Sequence, residues 1–298
     1  MIAGASLKIT LSCHENKLML ATGVEPELIR QIFGYVLACA LAKYGLLLHG
    51  AIQMGNHYHL DVTDVRGVLP YFKAYFNGML ARALNAHRGR LGDFWDRKGS
   101  CDTVRDNDEE SIGDLVYTET NAVAAGLVKW PKKWPGFHTA GWAFGTSQEF
   151  ERPDCAFFQN EKKWPKKVSI LRAKPPCLSG YTDADATSVL SEAVRVRCLE
   201  KQAQMKDQNQ RFKGVPKLAK DKWWRVPGSS AKDEWFGVRP KVAVRSQWRK
   251  QHALQRNAEW EAAYAAADEA FKNGDRNVEF PYGTWLVRKR HGVKVAQR

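Results

Sequence analysis

Two histidines separated by one residue, His57 and His59, could bind a metal ion together. In a β-strand, side chains two positions apart point to the same face of the sheet. The two imidazoles would then lie side by side, and Tyr58 between them would face the core. Neutral imidazole is the commonest protein ligand for metal ions. An H-x-H pair is short and common, so a strand with two partly exposed histidines is the alternative interpretation.

Tyr117 and Asn121 are a second pair of residues that could do chemistry. Residues four positions apart project from the same face of a helix. A tyrosine beside a metal ion can attack a phosphodiester and hold the cleaved chain as a covalent phosphotyrosine, while the metal polarises the phosphate. The side-chain oxygen of Asn121 could complete the metal site, and Glu119 is the alternative third ligand. For Tyr117 itself, the alternative is an ordinary tyrosine on an amphipathic helix.

Sequence patterns predict four strands and three helices in the first half of the chain. The strands are expected at 7–13, 46–53, 57–63 and 100–104, and the helices at 25–43, 69–87 and 106–123. Gly55-Asn56 predicts a tight turn that joins the second and third strands as a hairpin. The order βαββαβα predicts an α+β fold, an antiparallel sheet with helices on one face. His49, on the first arm of the hairpin, could approach the histidine pair but is interpreted as structural.

The net charge is distributed unevenly along the chain. Residues 1–145 contain 15 Lys and Arg against 14 Asp and Glu, whereas residues 146–298 contain 31 against 18. The second half therefore carries almost all of the formal charge of +14. A strongly basic half favours nucleic acid or another anionic surface as the partner, and a merely solvated basic surface is the alternative.

The composition argues against several other classes of protein. With 44% hydrophobic and 26% charged residues, the chain is expected to be globular with a sizeable core. It has no apolar run of the roughly 18 residues that span a bilayer, and its N-terminus does not resemble a signal peptide. Six cysteines are scattered without a CxxC pair, so neither a disulfide framework nor a zinc ribbon is expected. The expected location is the cytoplasm.

The second half of the chain shows no catalytic pattern of its own. Residues 146–180 contain several prolines and lysine pairs and are predicted to be a linker or a loosely folded segment. Helices are predicted at 183–206 and 244–272, and a closing hairpin at 280–295. Residues 211–239 interleave tryptophans with Lys and Arg, which suits base stacking combined with phosphate contacts. Packing of these tryptophans in a small core is the alternative.

Ten basic or aromatic residues are predicted to contact nucleic acid. They are Lys73, Arg97, Lys98, Lys222, Trp223, Trp224, Arg225, Arg288, Lys289 and Arg290. Phosphate contacts from the basic side chains would provide affinity without sequence information.

Four segments, in the same order along the chain, resemble one family. Residues 54–60 (MGNHYHL) resemble the HUH signature of single-strand transposases, and more closely the M-P-N-H-x-H-L of REP-associated tyrosine transposases. Residues 117–128 (YTETNAVAAGLV) are similar to the Y-I-x-x-N-P-V-x-A-G-L-V segment of that family. Residues 94–97 (FWDR) resemble its F-W-x-R, and residues 130–142 resemble its Trp-Pro-containing tail. The resemblance covers residues 7–145.

The resemblance implies a ferredoxin-like or RRM-like catalytic domain over residues 1–145. A linker at 146–180 and a basic, mainly helical nucleic-acid-binding module at 181–298 would follow. The implied partner is single-stranded DNA that carries a REP-like hairpin, and the implied location is the bacterial nucleoid. Members of the family occur as monomers and as homodimers, and the sequence does not decide between these states.

The reaction implied by the resemblance is metal-assisted transesterification of single-stranded DNA with Mg²⁺ or Mn²⁺. It leaves a 5′-phosphotyrosine and a free 3′-OH. By position, Tyr117 would be the nucleophile. The implied metal ligands are His57, His59 and Asn121.

Three positions depart from the pattern of the family. Gly55 and Ala122 stand where prolines are usual, and Thr118 where a β-branched apolar residue is usual. These changes affect backbone rigidity and packing rather than reactive groups. A repurposed protein that binds DNA or RNA hairpins without catalysis is the alternative function, and a metal-dependent RNA nuclease is a third. Retention of Tyr117 and both histidines favours catalysis, since a pure binder has no physical need for all three.

Overall fold

Segments of alternating polarity form a four-stranded antiparallel sheet in the computed structural model, which describes residues 4–23, 25–97, 99–105, 108–227, 247–282 and 284–296. The strands are β1 (Ala5–Ser12), β2 (Leu47–Gln53), β3 (His57–Asp64) and β4 (Cys101–Arg105), in the order β2-β3-β1-β4. β3 pairs with both β1 and β2, so it lies in the interior of the sheet. All four predicted strands are confirmed, with ends shifted by no more than two residues.

One face of the sheet is apolar and is covered by α1 (Pro26–Tyr44) and α2 (Leu69–His87). Alternate residues of β1 and β3 are buried in this layer, namely Leu7, Ile9, Leu11, Tyr58, Leu60 and Val62. Gly45 ends α1 in the left-handed conformation (φ 71°), which glycine adopts without strain. The carboxylate of Asp64 accepts hydrogen bonds from the backbone N–H groups of Val68 and Leu69, where α2 begins, at 2.9 and 2.8 Å. Both predicted helices are confirmed.

The opposite face of the sheet is polar, and α3 (Asp108–Ala124) covers it. Lys8, His59 and Asp61 belong to this face and are buried. The prediction that the helices lie on one face is therefore wrong. A polar face usually faces water, but here α3 provides polar partners for it, such as the backbone carbonyl oxygen of Asp114, which accepts a hydrogen bond from Lys8.

Residues 146–180 fold onto this core instead of forming a loose linker. β5 (Ser147–Glu151) and β6 (Lys167–Leu171) pair as an antiparallel hairpin. Apolar side chains of the segment join the core of α1 and α2, namely Phe158, Trp164 and Ile170. The hydroxyl of Tyr35 also donates a hydrogen bond to the carbonyl oxygen of Pro165 at 2.6 Å. The linker prediction is wrong for this segment, whereas the division of the chain into domains stays a prediction.

Arg172, which follows β6, forms a buried ion pair with Glu119 of α3. The two side chains are 2% and 3% exposed. The guanidinium also donates to the backbone carbonyl oxygens of His49, Thr139 and Trp142 at 2.9, 3.2 and 2.6 Å. Burial raises the pKa of Glu119, against the opposing effect of the guanidinium. A single side chain therefore ties the hairpin to β2 and to the helix on the polar face.

A β-bulge in β2 buries His49. The pairing of β2 with β3 shifts between Leu48 and Gly50, so His49 lies outside the regular register. Its Nε2 lies 2.8 Å from the hydroxyl oxygen of Thr63, and its Nδ1 lies 2.9 Å from the carbonyl oxygen of Ala173. Burial lowers the pKa of His49 to about 4. The structural interpretation of His49 is confirmed.

The chain after the hairpin returns to α3 and packs beside it. α4 (Asp183–Asp207) is capped by the preceding residue, Thr182, whose hydroxyl accepts a hydrogen bond from the N–H of Asp185 at 3.1 Å. The short helix α5 (Val215–Leu218) follows. Residues from both helices, from α3 and from the end of β2 share one small apolar cluster, which includes Ile52, Met54, Ala122, Cys198 and Leu218.

The described C-terminal residues form a small unit with an apolar cluster of its own. It consists of α6 (Gln247–Lys272), β7 (Glu279–Phe280), α7 (Trp285–His291) and β8 (Lys294–Val295). β7 and β8 pair in parallel, so the hairpin predicted at 280–295 is wrong; α7 provides the crossover that parallel neighbours need. The two predicted long helices are confirmed over their described residues. No helix in the described part of the chain is long and apolar enough to cross a membrane.

Replacing Arg172 by methionine will leave the carboxylate of Glu119 buried without its cation. We expect the free energy of unfolding to fall by about 3–5 kcal/mol, the usual cost of removing one partner of a buried ion pair. The double variant Arg172→Met/Glu119→Leu should recover part of this loss, since no buried charge remains. Lys167→Met, which removes an exposed ion pair from the same hairpin, is the matched control and should cost far less, because solvent screens exposed charges. Denaturant titration measures all three, and equal losses for the two single variants would contradict the role of the buried pair.

His49 makes the stability of the fold depend on pH. Because its pKa is lower in the folded chain than in the unfolded chain, the unfolded chain takes up a proton first as the pH falls. Its stabilising contribution is complete above about pH 6.5 and is lost as the pH falls toward about 4. The free energy of unfolding of the unmodified protein should fall between pH 7 and pH 5. In His49→Gln we expect this fall to be smaller by about 2 kcal/mol. Urea titrations at both pH values test this, and a decrease equal to that of the unmodified protein would show that His49 does not cause it.

Candidate active site

β3 presents His57 and His59 on the polar face of the sheet. The centroids of the two rings are 4.9 Å apart, and the ring planes are inclined by 76°. Tyr58 points to the opposite face, where it is fully buried and its hydroxyl donates a hydrogen bond to the side-chain oxygen of Asn77 at 2.7 Å. The predicted strand geometry of the H-x-H pair is confirmed, whereas metal binding by the pair stays a prediction.

The turn that leads into β3 is fixed by contacts on several sides. The N–H of Met54 donates to the carbonyl oxygen of His57 at 2.8 Å, and the indole N–H of Trp134 donates to the carbonyl oxygen of Gln53 at 2.7 Å. At Gly55, an added Cβ would lie 2.8 Å from a leucine methyl group of the preceding loop. A larger residue at this position would therefore require the side chain of Leu18 to move.

Each imidazole of the pair is oriented by an oxygen near its Nδ1 atom. The hydroxyl oxygen of Thr10 lies 2.7 Å from Nδ1 of His59, and the side-chain oxygen of Asn56 lies 2.8 Å from Nδ1 of His57. When Nδ1 carries the proton and donates it, Nε2 keeps a lone pair that can bind a metal ion. Among the residues that the structure describes, none forms a hydrogen bond with Nε2 of His57.

α3 brings Asn121 and Tyr117 to the histidines. Nδ2 of Asn121 lies 3.3 Å from Nε2 of His59, and the ring centroids of Tyr117 and His59 are 5.5 Å apart. Glu119 faces Arg172 instead, because residues two positions apart on a helix point in very different directions. Of the two residues considered as a third ligand, Asn121 is the one beside a histidine.

Burial keeps both imidazoles of the pair in the neutral form. Desolvation lowers the pKa of His57 to about 4. Desolvation also lowers the pKa of His59 well below its ordinary value, and the nearby His57 and Lys8 lower it further. Neutral imidazole is the form that binds metal ions.

Lys8 lies beside the candidate nucleophile and was not predicted from the sequence. It is buried, and its Nζ lies 4.2 Å from the ring centroid of Tyr117. The same atom donates to the backbone carbonyl oxygen of Asp114 at 3.2 Å and lies 3.7 Å from the carboxylate of that residue. The signal that could have identified Lys8 is its spacing from Thr10. Residues two positions apart on a strand have their side chains on the same face of the sheet.

Tyr117 has polar neighbours on one side and solvent on the other. Its side chain is 47% exposed, whereas His59 and Asn121 are buried. A polymer as large as a nucleic acid can therefore reach the phenol, while the groups next to the phenol are shielded from water.

Two of the predicted nucleic-acid contacts from the first half of the chain already have anionic partners. Lys73 forms an ion pair with Asp102. Arg97 forms an ion pair with Asp93 at 2.8 Å. Lys98 lies outside the described residues. A role for these cations in binding DNA stays a prediction.

The other predicted contacts are on the surface. Lys222, Trp223 and Trp224 line one cavity, and the exposed Arg225 follows them. The remaining three are exposed in the last turn of α7, namely Arg288, Lys289 and Arg290. The exposure of Trp224 argues against a core that contains both tryptophans.

The side chains of the site suit a divalent ion with mixed nitrogen and oxygen ligands. The donors are the imidazoles of His57 and His59 and the amide of Asn121, whose oxygen and nitrogen exchange places when the amide rotates by 180°. Imidazole nitrogen is a less favourable ligand for Mg²⁺ than oxygen is, so this set fits Mn²⁺ better. No group of three His, Cys, Asp or Glu side chains that could hold a metal occurs among the described residues.

A solved structure of a REP-associated tyrosine transposase bound to a REP hairpin is similar to this chain. The two have 16% sequence identity and a TM-score of 0.40, over 47% of this chain and 78% of that chain. No family model and no curated protein matches the chain. A likeness this low does not establish a family, so the chemistry depends on the side chains of the site.

Proposed function

We propose that this chain is a metal-dependent single-stranded DNA nuclease and strand transferase whose nucleophile is Tyr117. One observation carries the proposal: an exposed tyrosine, Tyr117, packs against the neutral ring of His59, which in turn lies beside His57 and the carboxamide of Asn121. Cleavage of a phosphodiester through a covalent intermediate requires a nucleophile next to a group that polarises the phosphate. Tyr117 would be the nucleophile, and a metal ion held by the other three side chains would polarise the phosphate.

In the proposed reaction, the phenol oxygen of Tyr117 attacks the phosphorus of a phosphodiester. The phenol loses its proton, a tyrosine–phosphorus ester forms, and the bond from phosphorus to the 3′ oxygen breaks. The leaving oxygen takes up a proton and becomes a free 3′-OH. One phosphodiester replaces another, so a 3′-OH can reverse the step and join strands without an external source of energy.

His57, His59 and Asn121 would hold the metal ion, Mn²⁺ or Mg²⁺. When bound, this ion would polarise the phosphate as a Lewis acid. Thr10 and Asn56 would keep the proton of each imidazole on Nδ1, so that each Nε2 keeps the lone pair that would bind the metal ion.

The ammonium group of Lys8 adds a fixed positive charge beside the nucleophile. It is buried next to the ring of Tyr117, where water screens its charge little. Negative charge develops on the attacking oxygen and on the phosphate as the reaction proceeds. A preorganised cation stabilises such a transition state more than the ground state.

DNA with a single-stranded region beside a REP-like hairpin is the proposed substrate. The resemblance of residues 54–60 and 117–128 to REP-associated tyrosine transposases supports it. The excess of basic residues in 146–298 supports it as well, since cations bind the phosphate backbone of any sequence. A bacterial cytoplasmic protein associated with the nucleoid would meet this substrate.

Incubation with labelled hairpin-bearing single-stranded DNA and Mn²⁺ or Mg²⁺ should produce a covalent protein–DNA adduct. Tyr117→Phe should form none, because the attacking oxygen is absent. Tyr181→Phe is the matched control, since Tyr181 is 49% exposed and Tyr117 is 47% exposed. Gel electrophoresis under denaturing conditions measures the adduct.

Two results of this experiment would contradict the proposal: no adduct with the unmodified protein, or an adduct that persists in Tyr117→Phe. Tight binding of the hairpin DNA without an adduct would favour the non-catalytic binder. His57→Ala and His59→Ala should each abolish the metal-dependent formation of the adduct while DNA binding persists.

Replacing Lys8 by methionine should slow adduct formation by about 100-fold, as the loss of one preorganised charge or donor does in other active sites. Lys8→Arg keeps the charge and should restore most of the rate. The affinity for DNA should change little, because Lys8 is buried. Single-turnover rates at saturating DNA, with separate equilibrium binding, measure both quantities. A rate that is unchanged in Lys8→Met would restrict Lys8 to a structural role.

A further inference from the structure

A cavity of about 660 Å³ lies between the loop before α1, the end of α2 and the segment 219–224. Its lining includes Thr22, Ile29, Arg88, Lys222, Trp223 and Trp224. The volume is within the range of roughly 300–1,000 Å³ that is typical of sites for small ligands.

Two tryptophans and two cations form one wall of this cavity. The rings of Trp223 and Trp224 meet edge to face, with centroids 5.3 Å apart and planes at 88°. The guanidinium of Arg88 lies 5.6 Å from the ring of Trp223, and Nζ of Lys222 lies 5.2 Å from the ring of Trp224. Trp224 is 52% exposed, so a flat ligand can stack on its ring.

The charges around the cavity favour an anionic ligand. Asp221 forms an ion pair with Lys213 at 2.5 Å, and Glu25 lies 3.1 Å from Nε2 of His87. Lys220 and Lys222 also line the cavity, and within the described residues neither forms an ion pair. Asp221 therefore already has a cationic partner and Glu25 a hydrogen-bond partner, while two lysines can contact phosphate.

The wall that carries the tryptophans is attached to the candidate active site. The carbonyl oxygen of Arg225 accepts a hydrogen bond from the N–H of Leu18 at 2.8 Å. Two residues further along this loop, the N–H of Leu20 donates to the carbonyl oxygen of Gly55 at 2.8 Å, in the turn that leads to His57. Before the tryptophans, Leu218 packs in the cluster that contains Met54 and Ala122.

We propose that this cavity binds one unstacked base of the single-stranded DNA that flanks the cleaved phosphodiester. The base stacks on Trp224, and the adjacent phosphates contact Lys220 and Lys222. Every base has a flat face that stacks on an aromatic ring, so such a site holds the strand without depending on its sequence. This inference rests on the proposed function, because it takes single-stranded DNA as the ligand.

Abasic scanning of the full-length protein tests the site. A short single-stranded oligonucleotide without metal is titrated by fluorescence anisotropy, and one abasic position is moved along it. For the unmodified protein, one abasic position should weaken binding by about 5- to 150-fold, the effect of losing one stacked base. Trp224→Ala should weaken binding of the intact oligonucleotide by a similar factor and remove the sensitivity to that position.

Two control variants define the role of the ring. Trp224→Phe should keep most of the affinity and the sensitivity to the abasic position. Trp130→Ala, which changes a 38% exposed tryptophan outside the cavity, should behave like the unmodified protein. If Trp224→Ala keeps both the affinity and the abasic pattern, the inference is wrong.

The adduct assay separates the failure of this inference from the failure of the proposed function. An adduct at Tyr117 combined with an unchanged abasic pattern in Trp224→Ala would overturn the base site alone. No adduct combined with loss of the abasic pattern in Trp224→Ala would support the base site and overturn the nuclease. Equal weakening by every abasic position would also overturn the inference, because it would show that the protein holds no particular base in a pocket.

Discussion

The buried ion pair between Arg172 and Glu119 is the interaction on which the candidate site depends. Glu119 lies two residues from Tyr117 and two residues from Asn121, so a shift of α3 along the sheet would move both. The layer between α3 and the sheet is polar, and each buried polar group in it is costly unless it finds its own partner. Only one position of α3 on the sheet lets the buried polar groups in this layer reach their partners. An apolar layer would tolerate small displacements more readily.

The same buried layer determines the chemical state of the side chains in the site. Removal of water makes the histidines neutral, and it strengthens the field of Lys8 at the ring beside it. Tyr117 lies at the margin of this layer, where it contacts both the shielded groups and solvent. A nucleophile at such a boundary can meet a large substrate while the charges that act on it remain shielded.

Periodicity was sufficient to predict the four strands of the main sheet, the helices of the first half of the chain and which reactive side chains share a face. It could not predict that α3 covers the polar face, because alternation distinguishes two faces without showing whether water or protein lies against each. Arg172 is one of 46 Lys and Arg residues, and its partners Glu119 and His49 are 53 and 123 positions away, so no local pattern marks it as buried. The linker prediction failed because it used average composition, whereas burial of a few large side chains such as Trp164 decided the outcome.

The separation of 53 residues between Glu119 and Arg172 has a consequence during protein synthesis. The chain emerges from its N-terminus, so the sheet and α3 leave the ribosome before β6 has been made. Until then, the carboxylate of Glu119 lacks its buried cation, and the helix lacks this contact to the rest of the fold. A nascent or prematurely terminated chain that ends before Arg172 would carry the nucleophile and the histidines without the contact that aligns them. The order of synthesis therefore delays assembly of the site until more than half of the chain exists.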